Sequence, residues 1–106
     1  MRIRGGPVSL SYLASDDDDV RVGISIPRKV GNAVSRNKIK RRVKASLRDI
    51  DVEVQPGRYG FLIYPEVARL NYHQIKEIVS SLMARAAQRM VSDNDIHGRT
   101  DKEPGR

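Results

Sequence analysis

Ten basic residues and no acidic residue lie between Val20 and Arg48, and this segregation of charge is the clearest chemical feature of the sequence. The chain has a net charge of +7, so all of the surplus positive charge belongs to this segment. Such a cluster suits a polyanion, because each neutralised phosphate releases condensed counterions and adds affinity that does not depend on sequence. A solubilising surface would normally mix both signs. The segment therefore predicts a contact with nucleic acid.

The side chains of this segment differ in the contacts that they can make. Arginine offers a planar fork that binds phosphate bidentately, whereas lysine acts as a compact point charge. Asn37 can donate and accept hydrogen bonds, so it could contact a base edge or a 2′-hydroxyl. Asn32 has two alternatives, a contact to RNA or a helix cap in the turn that aims its basic neighbours. The predicted RNA-binding residues are Arg28, Lys29, Asn32, Arg36, Asn37, Lys40, Arg41, Arg42 and Lys44.

A helix from about Ala33 to Arg48, capped by Asn32 or Ser35, is predicted to position these side chains. Its apolar residues recur at spacings of three and four and form one narrow stripe for burial against a sheet. The stripe consists of Ile39, Val43, Leu47 and Ile50. At about 100° per residue, the opposite side carries Asn37, Arg41, Lys44 and Arg48. Burying the stripe therefore exposes the basic side.

Two runs of alternating apolar and polar residues, 8–14 and 20–26, predict half-buried strands. Ser15 and the four aspartates Asp16 to Asp19 separate them, which predicts an antiparallel hairpin with an acidic loop. Adjacent carboxylates can attract a hard cation, but consecutive residues cannot all face one ion without a defined loop. We therefore interpret the aspartates as a solvated tip and assign them no metal site.

The second half of the chain predicts one more strand and one more helix. The apolar run from Tyr59 to Tyr64 is typical of a central strand covered on both faces or nearly so. Asn71, with Gln74 three residues later, predicts a capping box for a helix that ends near Met90. Its predicted buried face consists of Ile75, Ile78, Val79, Leu82, Met83, Ala86 and Met90. A polar tail at 92–106 is predicted to be disordered.

The element order predicts an α+β fold in a single domain spanning residues 1–91. The order strand, strand, helix, strand, helix indicates a small α/β sandwich, a sheet with helices packed on one face. The strand ending at Ile26 and the strand at Phe61 are joined by the basic helix, so we expect them to pair in parallel.

Composition and isolated residues narrow the function classes further. Without cysteine, the chain can form neither a disulfide nor a thiolate metal site. No apolar run approaches the roughly 18 residues of a membrane span, and the N-terminus lacks the apolar stretch of a signal peptide. A cytoplasmic location is therefore expected. His73 and His97 stand alone, and acid–base catalysis needs a positioned partner, so no catalytic residue is predicted.

The stretch from Pro27 to Arg48, PRKVGNAVSRNKIKRRVKASLR, resembles the protein component of bacterial ribonuclease P. The match includes the turn GNAV and a helix of pattern R-N-x-x-K-R. It continues through Arg21 to Ile26 before the stretch and Tyr59 to Ala86 after it. The resemblance implies a left-handed strand-helix-strand crossover, against the general right-handed preference. It also implies that the chain begins too late to contain the family's N-terminal helix.

The resemblance implies a function in transfer RNA maturation. A protein of this family assembles with a large catalytic RNA and assists removal of the 5′ leader of precursor transfer RNA. The RNA performs the hydrolysis with Mg²⁺, and the protein, expected as a monomer in the holoenzyme and away from membranes, binds no cofactor itself. The leader lies in a cleft across the sheet, where Tyr12 matches a base-stacking aromatic residue. The alternative for Tyr12 is a core side chain of the first strand.

Two other functions stay open on the sequence. One is a ribosome-associated or general RNA-binding module with no part in an enzyme. The other is a duplex DNA binder that uses the basic helix in a major groove.

Overall fold

The fold is a four-stranded sheet combined with two helices. A computed structural model describes residues 1–51 and 53–101, with the side chains of residues 1–51 and 53–90. The elements are β1 (Arg2–Gly5), β2 (Val8–Leu13), β3 (Val20–Ser25), α1 (Ala33–Asp49), β4 (Gly57–Ile63) and α2 (Tyr72–Asp101). Short 3-10 turns cover Arg28–Val30 and Pro65–Arg69. The α+β fold predicted from the element order is confirmed.

The sheet has the strand order β1-β2-β4-β3. The pairs β1–β2 and β2–β4 are antiparallel, whereas β3 and β4 are parallel. The parallel pair is the one predicted from the intervening helix. One face of the sheet packs against the helices around Leu10, Phe61, Val43, Ile75 and Leu82, all of which are buried.

The predicted hairpin of the two N-terminal alternating runs is wrong, because β4 lies between β2 and β3. Tyr59 and Phe61 of β4 are buried and pair on one side with β2 and on the other with β3. The more apolar strand therefore takes the central position. On β3, Val20 and Val22 are each 46% exposed, as expected of an edge strand.

β4 is central, as predicted, but only one of its faces is covered. Tyr59, Phe61 and Ile63 are buried on the helix-facing side, while Arg58 and Leu62 are exposed on the other side. The sequence hides this alternation, because the positions on the other side include Gly60 and Leu62, which carry no charge. The strand in fact follows the alternation of a half-solvated sheet.

The first strand, β1, was missed by the sequence reading. Its core contribution is Ile3, which is 3% exposed and pairs with Leu10. The turn into β2 uses Gly6 at a φ of 59°, a left-handed conformation that suits glycine. The strand has only four residues, so its alternation of arginine and isoleucine was too short to stand out.

Helix α1 matches its predicted bounds within one residue. Asn32 Oδ1 accepts a hydrogen bond from the Ser35 backbone N–H at 2.8 Å, which identifies Asn32 rather than Ser35 as the cap. Ile39 and Val43 of the predicted stripe are buried, and Leu47 and Ile50 are partly buried against the core. The buried side of α1 also includes Ser46, whose hydroxyl donates to the Arg42 carbonyl at 2.8 Å.

Helix α2 begins with the predicted capping box. The Asn71 N–H donates to Gln74 Oε1 and the Gln74 N–H donates to Asn71 Oδ1, each at 2.9 Å. The helix extends to Asp101 rather than ending near Met90, and no proline interrupts the sequence from Tyr72 to Asp101. Residues 102–106 of the predicted tail lie outside the described residues. Within the described part of the chain, neither helix is long and apolar enough to cross a membrane.

Candidate nucleic-acid interface

The basic side of α1 is exposed in the folded chain. Its exposed members are Asn37, Lys38, Lys40, Arg41, Lys44 and Arg48. Among residues 1–51 and 53–90, none of these cations lies within 4.0 Å of a carboxylate, since the ion pairs there involve only Arg21 and Lys76. The helix therefore presents its charge to solvent, as the helical pattern predicted.

Two predicted site residues, Arg36 and Arg42, are instead half-buried and held by backbone carbonyls. Arg36 Nε donates to the Gly31 carbonyl at 3.1 Å, and Arg42 Nη1 donates to the Leu70 carbonyl at 3.3 Å. These bonds orient each guanidinium and use one of its donors. Arg42 thereby ties α1 to the segment that precedes α2.

The turn before α1 carries three more of the predicted residues. Arg28 and Lys29 are exposed in the 3-10 turn, and Val30 anchors that turn in the core at 7% exposure. Asn32 is exposed and caps α1, so one of its two alternatives is realised. The other, a contact to RNA, stays a prediction.

A groove runs between α1 and the edge strand β3. Lys40, Lys44 and Arg48 line one wall, and Val22 to Ile24 line the other. Gly23 in this groove also borders two depressions on the far side of the sheet. The basic helix and the uncovered sheet face are therefore connected around the β3 edge.

The uncovered face of the sheet carries arginines that the sequence reading did not assign. Residues that pair across strands point to the same face, so Arg2, Arg4, Arg21 and Arg58 share the side opposite the helices. Arg58 is the direct partner of Arg21 and of Leu13. The alternation of Arg2, Ile3 and Arg4 was the available signal for a basic face on β1. We call the side formed by these residues and their paired neighbours the open face.

Tyr12 lies on the helix-facing side of β2. This is the position expected if it is a core side chain, the alternative to a base-stacking role. Its hydroxyl donates to the Pro56 carbonyl at 2.6 Å, and its ring lies 4.9 Å from that of Tyr59. Gly57 has a φ of 144°, and a Cβ there would lie 2.5 Å from the Tyr12 ring. The ring is therefore packed against the start of β4. A role for Tyr12 in leader binding stays a prediction.

Tyr59 completes this aromatic pair and is 3% exposed. Its hydroxyl donates to the Gln55 carbonyl at 2.6 Å. Burial, followed by the neighbouring Tyr12, raises the pKa of Tyr59 to about 12. The strand aromatic residues Tyr12, Tyr59 and Phe61 all lie on the helix-facing side of the sheet.

The acidic loop, Asp16 to Asp19, lies beside the open face. Asp17 and Asp19 each approach Arg21 Nη2 at 3.6 Å, in exposed pairs. The pKa of the Asp17 carboxyl is lowered first by a hydrogen bond from the Ser15 hydroxyl and then by the Asp19 N–H, with a smaller effect of Arg58. Within the described residues, no three His, Asp or Glu side chains are grouped so as to hold a metal ion.

His73 is exposed at the start of α2. The side chain of His97 lies outside the described residues.

Sequence comparisons with a family model and with individual proteins give the same result. The family model described as Ribonuclease P matches residues 1–87. The chain is 34% identical over 74 residues to the ribonuclease P protein component of an Exiguobacterium species, an alignment covering 70% of this chain and 65% of that protein. It is 33% identical over 58 residues to the Listeria monocytogenes protein of the same name, covering 54% and 49%. The matched part thus spans about half to just under two thirds of these relatives.

Solved structures agree in fold. The RNase P protein of Staphylococcus aureus superposes with a TM-score of 0.72 at 22% identity, covering 82% of this chain and 80% of that one. The Thermotoga maritima protein gives 0.70 at 22% identity, covering 80% and 82%. Since the family model spans most of the sequence and the fold is the same, the chain belongs to the ribonuclease P protein family.

Proposed function

We propose that this chain is the protein subunit of a ribonuclease P, which binds the catalytic RNA and the 5′ leader of precursor transfer RNA. The observation that carries the proposal is the exposed, unpaired basic side of α1 within the family motif. These cations have no carboxylate within 4.0 Å among the described residues. They are therefore available to bind phosphates. The Arg41 guanidinium is free to bind a phosphate bidentately, and Lys40 and Lys44 add point charges.

The leader is assigned to the open face. Unpaired strands bind to basic grooves that follow their backbone. The open face supplies such cations through Arg2, Arg21 and Arg58, and the groove beside β3 joins it to α1. An RNA partner held on α1 and a single strand held on the sheet can therefore occupy one protein simultaneously.

Hydrolysis is assigned to the RNA with Mg²⁺, and the protein contributes binding and positioning. The exposed side of α1 supports this division, since its side chains are cations suited to binding phosphate. The subunit acts as a monomer in the holoenzyme and works in the cytoplasm. By neutralising phosphates where the RNA and the substrate meet, it lowers the concentration of Mg²⁺ that the assembly requires.

The proposal is tested by reconstitution. The chain is combined with its cognate catalytic RNA, and cleavage of a precursor transfer RNA is followed over a Mg²⁺ titration. The protein is expected to shift the half-maximal Mg²⁺ concentration downward and to favour precursor over mature transfer RNA. No shift at any protein concentration would contradict the proposal.

Recovery of bound RNA from cells separates the proposal from the general RNA-binding alternative. One abundant RNA that cleaves precursor transfer RNA is expected. A mixture dominated by ribosomal RNA would favour the alternative.

A further inference from the structure

Two glycines occupy the middle of the open face, side by side in neighbouring strands. Gly23 of β3 is the direct partner of Gly60 of β4, and Gly60 also pairs with Ser11 of β2. Two depressions of the open face share these three residues, so Ser11, Gly60 and Gly23 form the floor of one trough. Arg21 and Arg58 form the next rung at one end, and Leu62 and Ser25 form the rung at the other.

The fold itself does not require either glycine. Neither has a positive φ, so both have a backbone that any L-residue can adopt. A Cβ built at Gly23 or at Gly60 would meet no atom within 4 Å. Glycine in a strand interior weakens the strand, because it adds no packing and loses more entropy on folding. By contrast, Gly57 is required, because its φ is 144° and a Cβ there would meet Tyr12 at 2.5 Å.

The trough also lacks the aromatic rings on which single strands usually stack. The strand residues Tyr12, Tyr59 and Phe61 face the helices. Tyr64, just beyond β4, has the Arg4 guanidinium over its ring at 3.9 Å. A nucleotide on the open face must therefore be held by something other than a free aromatic side chain of the strands.

We propose that Gly23 and Gly60 are specificity-determining residues that let one nucleotide of an unpaired strand lie directly on the peptide planes of β3 and β4. The adjacent Arg21 and Arg58 take its phosphate, and the Ser11 and Ser25 hydroxyls flank its sugar and base. Removing two Cβ atoms brings the ligand closer to the backbone, and close approach of a ligand is one of the reasons for a glycine inside a strand. The inference deepens the function proposed above and rests on it.

The test uses the reconstituted holoenzyme with the Gly23→Ala, Gly60→Ala and double variants. Affinity is measured for a precursor transfer RNA with a ten-nucleotide leader and for the mature transfer RNA without it. We expect each variant to lose about fivefold or more in affinity for the precursor, with no change for the mature form. The same variants should unfold at an equal or higher temperature, by up to a few degrees, because alanine stiffens a strand that has room for it.

A size series at one position identifies the cause. In the series Gly60→Ala, Gly60→Ser and Gly60→Val, leader affinity should fall as the side chain grows. Val20→Ile is the control, since it adds one carbon to the neighbouring edge strand β3 on the helix-facing side and borders neither depression. It should leave leader affinity unchanged.

Two results would overturn the inference. Unchanged leader affinity in the double variant would show that the trough floor is not a contact. A clear fall in unfolding temperature would show that the fold needs the glycines. Failure of the inference is separable from failure of the proposed function. If only the inference fails, wild-type protein still lowers the Mg²⁺ requirement. If the proposed function fails, wild-type protein does not lower it.

Discussion

Arg41 and Arg42 are adjacent in sequence but have different surroundings in the folded protein. Arg41 is exposed and has no carboxylate within 4.0 Å among the described residues, whereas Arg42 is half-buried and donates to the Leu70 carbonyl. The helical repeat predicted that Arg41 is exposed, and it placed Arg42 on a flank of the helix. It could not show that Leu70, twenty-eight residues away, supplies an acceptor.

Replacing Arg41 by alanine should weaken RNA binding without unfolding the protein. The loss of one phosphate contact reduces the slope of log affinity against log salt by about 0.7 to 0.9. The measurement is a salt titration of binding to the catalytic RNA. Arg85→Ala, an exposed arginine of α2, is the control and should leave the slope unchanged. An unchanged slope in Arg41→Ala would remove Arg41 from the interface.

The buried hydroxyl of Tyr59 predicts a loss of stability at alkaline pH. Its pKa is about 12 in the folded chain and 10.0 in the reference state, so between these values the unfolded state loses the proton first. The free energy of unfolding should therefore be unaffected below pH 10 and fall between pH 10 and 12, by at most about 2 to 3 kcal/mol from this group. Urea unfolding of wild type and Tyr59→Phe across this range tests it. Identical pH profiles would contradict it.

At the scale of elements, the N-terminus of α1 combines a cap with a candidate RNA contact in Asn32. Its side-chain oxygen accepts a hydrogen bond from the Ser35 N–H, while the residue is exposed, as are Arg28 and Lys29 in the preceding turn. Both roles were open on the sequence. The cap is present in the structure, and the contact is accessible to experiment.

Two substitutions of Asn32 separate these roles. Asn32→Ala removes the cap and should cost about 1 kcal/mol of the free energy of unfolding. Asn32→Asp keeps an accepting oxygen at a helix N-terminus, which favours negative charge, and should keep wild-type stability. Its added charge should nevertheless weaken RNA binding. Chemical denaturation and RNA titration measure both effects, and full RNA affinity in Asn32→Asp would exclude the contact.

At the scale of the whole molecule, the acidic loop and the basic surfaces meet at one edge of the sheet. Asp17 and Asp19 lie 3.6 Å from Arg21, which belongs to the open face. Exposed ion pairs of this kind add little to stability. Their larger effect is on the local potential that an approaching RNA experiences.

Neutralising the loop should therefore strengthen RNA binding. The double variant Asp17→Asn, Asp19→Asn is expected to raise affinity for single-stranded RNA by about three- to tenfold at low salt, less at high salt. The control, Glu66→Gln with Glu77→Gln, changes the net charge equally at exposed sites elsewhere. Binding is followed by fluorescence anisotropy with a labelled oligonucleotide. Equal gains in both variants would assign the effect to net charge alone.

The sequence by itself determined the features that depend on near neighbours in the chain. The stripe of Ile39 and Val43, the cap at Asn32 and the capping box at Asn71 all arise from contacts between residues three or four apart. The concentration of charge between Val20 and Arg48 is likewise independent of folding. These features were sufficient to predict the basic side of α1 and the family motif on it.

Only the tertiary structure decided how the strands meet. The alternation of side chains shows which residues of one strand share a face, but it does not show which strands are neighbours. The placement of β4 between β2 and β3 therefore overturned the predicted hairpin, and it brought Gly23 beside Gly60 and Arg21 beside Arg58. These pairs are more than thirty residues apart in the chain, so their contact depends on long-range packing that no local pattern encodes.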